Sequence, residues 1–92
     1  MEIQISVSAA KKHGLLVEDI DFAMSDNEKE IREAAEELGP FLDIMNVQNG
    51  PAGYLTADVL FKDKKQATAW LNKYEPDDKD FAKEALKFSK KI

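Results

Sequence analysis

Residues 41–62 read FLDIMNVQNGPAGYLTADVLFK, two β-prone runs on either side of a turn-forming tip. Asn49, Gly50 and Gly53 accept positive φ and Pro51 fixes φ, so residues 41–47 and 54–62 are predicted to be the arms of a hairpin. In the second arm Leu55, Ala57, Val59 and Phe61 alternate with Thr56, Asp58 and Leu60. The first set is expected to face the core and the second to face away, because a slip of one residue would reverse every side chain.

Helical patterns flank this hairpin. Upstream, Ser25 to Glu28 (SDNE) forms a capping box, Ile31, Ala34, Ala35 and Leu38 follow at i, i+3, i+4 and i+7, and Gly39-Pro40 ends the run. Downstream, Asp63 to Gln66 is a second box, with Ala67, Trp70, Leu71 and Tyr74 at the same spacing. That places Trp70 on a core stripe rather than at a binding surface. Beyond Pro76, Phe81, Ala85, Phe88 and Ile92 predict a last helix, its first turn acidic (Asp77, Asp78, Asp80) and its end basic (Lys87, Lys90, Lys91), as the helix dipole favours.

Towards the N-terminus, Ile3, Ile5 and Val7 alternate with Glu2, Gln4 and Ser6, which predicts a strand over residues 1–8. Ser8 can cap a short turn that Gly14 ends. Residues 17–24 set Ile20, Phe22 and Met24 against Asp19, Asp21 and Ala23; we read a strand, with a helical turn as the alternative. The predicted order is ββαββαα. It describes one α+β domain over residues 1–92, a small four-stranded antiparallel sheet with helices packed on one face, of which a ferredoxin-like arrangement is one member.

Composition narrows the function. The chain has no cysteine, so disulfides, thiolate nucleophiles and sulfur-ligated zinc or iron–sulfur sites are excluded, and a reducing cytoplasm is the expected location. Nothing at the start resembles a signal peptide and no apolar run is long enough to span a bilayer, so no membrane partner is expected. His13 is the only histidine and lies beside Lys11 and Lys12, which leaves no nucleophile–base pair to recognise. Glu18, Asp19 and Asp21 lack the glycine and distal glutamate of a calcium loop, and the glycines precede no Lys-Ser/Thr. No cofactor or metal is expected, and we expect no enzyme; catalysis would require a cleft raising a carboxylate pKa near Asp43, Asp58 or Asp63.

The formal charge of −5 disfavours direct nucleic-acid binding, and it is unevenly spread: residues 1–46 carry 11 acidic and 4 basic side chains, residues 47–92 carry 7 and 9. On the first helix Asp26, Glu30, Glu33 and Glu37 fall on one line, and on the last Lys79, Lys83, Lys87 and Lys90 do the same. Both lines stand opposite apolar stripes. Like charges at i, i+4 cost roughly 0.2–0.5 kcal/mol per pair, so helix stability does not explain them; solvation or docking does. The expected role is a non-catalytic protein-binding or regulatory module. Its contact surface is Asp26, Glu30, Glu33 and Glu37 with Glu18, Asp19 and Asp21, and its partner is another protein with a basic surface. In size and charge alone the chain resembles small acidic inhibitors made by phages. That resemblance implies the alternative of a nucleic-acid mimic, and the two opposed lines also admit a homo-oligomeric assembly subunit.

Overall fold

The computed structural model describes residues 13–50 and 53–92; the strand expected over residues 1–8, the turn after Ser8 and the hairpin tip at Pro51-Ala52 lie outside them. The elements are β1 (Leu15–Phe22), α1 (Glu28–Leu38), β2 (Asp43–Asn49), β3 (Leu55–Phe61), α2 (Lys64–Tyr74), α3 (Phe81–Lys87) and β4 (Lys90–Lys91). The sheet runs β2-β3-β1-β4 with every neighbour antiparallel. Order and direction are those of the ferredoxin-like split βαβ arrangement, with two helices between β3 and β4 in place of one.

The ambiguous stretch at residues 17–24 is a strand, shifted to Leu15–Phe22, and Met24 stands 95% exposed beyond its end. Val17, Ile20 and Phe22 of β1, Ile44 of β2 and Ala57, Val59 and Phe61 of β3 meet Ile31 and Ala35 of α1, Ala67, Trp70 and Leu71 of α2, and Ala82 of α3 in one core. All three helices therefore pack on the sheet face carrying the odd-numbered residues of β3. Fully burying one such leucine, isoleucine or phenylalanine contributes roughly 1.5–3 kcal/mol. An aromatic column ties the layers together. Phe61 and Trp70 lie 5.4 Å apart, Trp70 stacks on Tyr74 at 5.5 Å, and Tyr74 stacks on Phe81 at 5.5 Å. Trp70 also donates from Nε1 to the Ala35 carbonyl at 3.0 Å, which joins α2 to α1.

Two local expectations need correction, and β3 adds a third feature that its alternation alone did not show. The α1 cap is Asn27, not Ser25: Asn27 Oδ1 accepts from the Glu30 N–H at 2.9 Å, and Glu30 Oε1 accepts from the Asp26 N–H at 2.6 Å. Ser25 is buried and its N–H bonds the Phe22 carbonyl, so the chain is still turning away from β1 at that point. The box after β3 forms as expected, with Asp63 accepting from the Gln66 N–H at 2.8 Å.

Secondly, the last helix ends at Lys87, leaving Phe88 76% exposed and Ile92 45% exposed instead of buried. Lys90 and Lys91 pair with Leu16 and Leu15, and Gly14 and Ile92 exchange two backbone hydrogen bonds of 2.9 Å. The free edge of β1 satisfies these backbone groups, and an apolar spacing alone does not distinguish that outcome from a further helical turn. Gly14 serves this junction. A Cβ there would overlap the Phe61 carbonyl oxygen, so close approach selects glycine.

Thirdly, Thr56, Asp58 and Leu60 are buried although they face away from the helices. β3 is central, and both neighbours bulge against it. The β1 register shifts between Val17 and Ile20 and the β2 register between Met45 and Gln48, with Asp19 (φ 59°) and Asn46 (φ 55°) in the left-handed region. Both bulges close on one carboxylate. Asp58 Oδ1 accepts from the Asp19 N–H at 3.0 Å and Oδ2 from Asn46 Nδ2 at 2.6 Å.

Arg32, the only arginine, fixes α1 against the outer strand. Its Nε contacts Glu28 at 3.1 Å, and Nη2 reaches Asp43 at 3.5 Å and the Ile44 carbonyl at 3.3 Å.

Candidate functional site: two charged surfaces

The seven carboxylates expected to form one acidic surface divide between two places. Glu30, Glu33 and Glu37 lie on the exposed side of α1, whose opposite side carries the buried Ile31 and Ala35. Asp26 precedes this helix, and Glu30 is committed to the cap. Glu33 and Glu37 are exposed and form no ion pair among the described residues. With the Asp26 carboxylate, which also has no ion pair among the described residues, they are the uncommitted members of the row.

Glu18, Asp19 and Asp21 belong to β1. Glu18 pairs with Lys90 at 3.3 Å. Asp19 and Asp21 line a shallow cavity of about 500 Å³ with Gln48, Tyr54 and Thr56, on the sheet face turned away from the helices. The Tyr54 hydroxyl donates to the Asp21 carboxylate at 3.4 Å, and the Tyr74 hydroxyl to the Asp21 carbonyl at 2.6 Å. Burial, with the Asp21 charge behind it, pushes the Tyr74 phenol up to about 12, against the pull of its hydrogen bond to the Asp21 backbone. The sheet thus separates these carboxylates from the α1 row.

The expected lysine line changes more. Lys79 precedes α3, Lys90 leaves for β4 and its ion pair with Glu18, and only Lys83 and Lys87 stay on the helix. A larger feature replaces it. A groove of about 1100 Å³ opens between α2, α3, the β3–α2 turn and the paired ends of β1 and β4. Lys62, Lys64, Lys79, Lys83, Lys87 and Lys91 surround it. Among the described residues its single acidic side chain, Asp63, is occupied as the α2 cap. Of the six lysines only Lys87 has an ion pair among the described residues, with Glu84 at 3.3 Å. Leu15, Ala82, Leu86 and Ile92 supply the apolar lining.

Searches among protein-family models, curated proteins and solved structures find no match for this chain. The two surfaces therefore rest on geometry. α1 is tethered to β2 at one end of the sheet, and the groove is built on β4 at the other, so the α1 carboxylates and the groove lysines lie apart. Among the described residues no three histidine or acidic side chains are placed to hold a metal ion, and no helix is long and apolar enough to cross a membrane. Sequence reasoning missed the groove because its lysines come from separate segments. The one available signal was the excess of basic residues after residue 46.

Proposed function

We propose that this chain is a non-catalytic protein-binding module whose α1 face docks a partner bearing a basic surface. The observation that carries the reading is the separation of unpaired charge. Glu33 and Glu37 stand exposed one turn apart and, like Lys29 one turn before Glu33, form no ion pair among the described residues, while six lysines gather around the groove away from α1. Their i, i+4 repulsion opposes the helix, so folding gains nothing from the pair. Steering of an incoming partner does gain, through an on-rate that falls as salt rises.

The test is capture of partners from source-cell lysate on the tagged protein, with washes of increasing salt and a Glu33→Lys/Glu37→Lys variant in parallel. A partner released at a few hundred millimolar salt and lost in the variant supports the proposal. Equal retention by both proteins removes α1 as the contact. If the partner handles nucleic acid, the mimic reading replaces the generic one; retention of this chain alone directs attention to self-assembly.

A further inference from the structure

The lysine-rimmed groove lies away from the α1 face and calls for a different occupant. We propose that it is a second binding site, for an acidic amphipathic helix of a partner protein. Three observations choose this occupant. Charge is the first: among the described residues six lysines stand against one acidic side chain, itself engaged as a helix cap, and such a rim recognises an anion. The lining is the second. Leu15, Ala82, Leu86 and Ile92 present aliphatic surface between the ammonium groups, so the complementary ligand carries an apolar stripe between carboxylates. Size is the third. Two turns of helix, about 12 Å long and 10 Å across, occupy on the order of 900 Å³, which matches an open groove of about 1100 Å³.

Other occupants fit less well. Single-stranded nucleic acid needs flat rings to stack on, and among the described residues the lining offers no ring but the His13 imidazole; Phe88 is exposed but does not line the groove. A second copy would have to insert α1, yet the apolar face of α1 is already spent on its own core. A lone fatty anion would leave most of the lysine rim unused.

The experiment is fluorescence anisotropy on the full chain with a labelled synthetic helix of three turns, leucines at i, i+3, i+4 and i+7 and glutamates flanking them. Controls are the same composition in scrambled order, an oligothymidine and laurate. The expected result is saturable binding to the ordered peptide, at least tenfold weaker for the scrambled one, at least tenfold weakened by Lys79→Glu/Lys83→Glu, reduced by Ile92→Ser and not weakened by Glu33→Lys/Glu37→Lys. Circular dichroism of each variant verifies that it is folded. Equal binding of ordered and scrambled peptides overturns the proposal in favour of diffuse charge attraction. Tighter binding of the oligothymidine or of laurate reassigns the groove to that ligand, and absence of saturable peptide binding overturns it outright. Binding weakened by Glu33→Lys/Glu37→Lys and untouched by Lys79→Glu/Lys83→Glu would overturn the groove as the site.

Discussion

Asp58 is one carboxylate on which two bulges depend, and its removal has a calculable effect. Asp58→Ala deletes the acceptor for the Asp19 N–H and for Asn46 Nδ2. Hydrogen bonds to a charged group contribute roughly 1.5–3 kcal/mol each. Asp19 and Asn46 are themselves exposed, so water replaces part of what each donor loses, and the lower figure applies. Two bonds then give a loss of about 3 kcal/mol, with the positive φ of both bulge residues left unsupported. A chain of 92 residues has on the order of 5–14 kcal/mol to lose, so the variant still folds. Urea unfolding followed by the fluorescence of Trp70, the single tryptophan, reads the change. At an m-value of about 1 kcal/mol/M the midpoint falls by about 3 M. Asp58→Asn retains the bond to Asp19 and forces the Asn46 amide to turn over, so about 1 kcal/mol is lost. Asp58→Ala and Asn46→Ala together should cost less than the sum of the two. A midpoint shift under about 0.5 M for Asp58→Ala, at unchanged m-value, would show that the bulges hold without the carboxylate and refute this account.

Three further expectations follow from single contacts. Asn27→Ala should lower stability by about 1 kcal/mol in the same assay and Asn27→Ser by much less, while equal losses from the two would contradict the observed cap. Tyr74 titrates near 12 in the folded chain and near 10 unfolded, so the unfolded state loses its proton first as pH rises. The stabilising contribution is complete below pH 10 and declines between pH 10 and 12, seen as a falling urea midpoint that Tyr74→Phe should flatten over that window; a parallel decline in both proteins would refute it. Gly14→Ala should cost about 2–3 kcal/mol through its overlap with the Phe61 carbonyl, and a near-neutral result would mean that the β1–β4 junction adjusts freely.

Where the sequence was informative, it was because one local rule operated alone. The cores of α1 and α2 follow from the spacing of Ile31 and Ala35 and of Ala67, Trp70 and Leu71, each buried as expected. The hairpin follows from its alternation and tip. The bulges were hidden because aspartate and asparagine enter the left-handed region with no change in the polar pattern around them, so Asp19 and Asn46 look like ordinary outward residues. Phe88 and Ile92 continue a helical spacing that β4 interrupts through pairing with residues some 75 positions earlier. The α1 carboxylates were legible as a row because one helix carries them. The groove was not, since three elements and a turn must fold together before Lys62, Lys79 and Lys91 share a rim.

Arg32 bears on a hazard common to open sheets. Among the described residues β2 ends the sheet, and an outer strand with unsatisfied backbone invites another chain to pair with it. The guanidinium occupies the Ile44 carbonyl, and the kink at Asn46 lies two residues further along the same strand. A foreign strand approaching from that side meets a carbonyl already taken and then a register that does not match its own. Replacing Arg32 would therefore be felt first as a tendency to form fibrils or swapped dimers in concentrated solution, before any change in the fold of the isolated molecule.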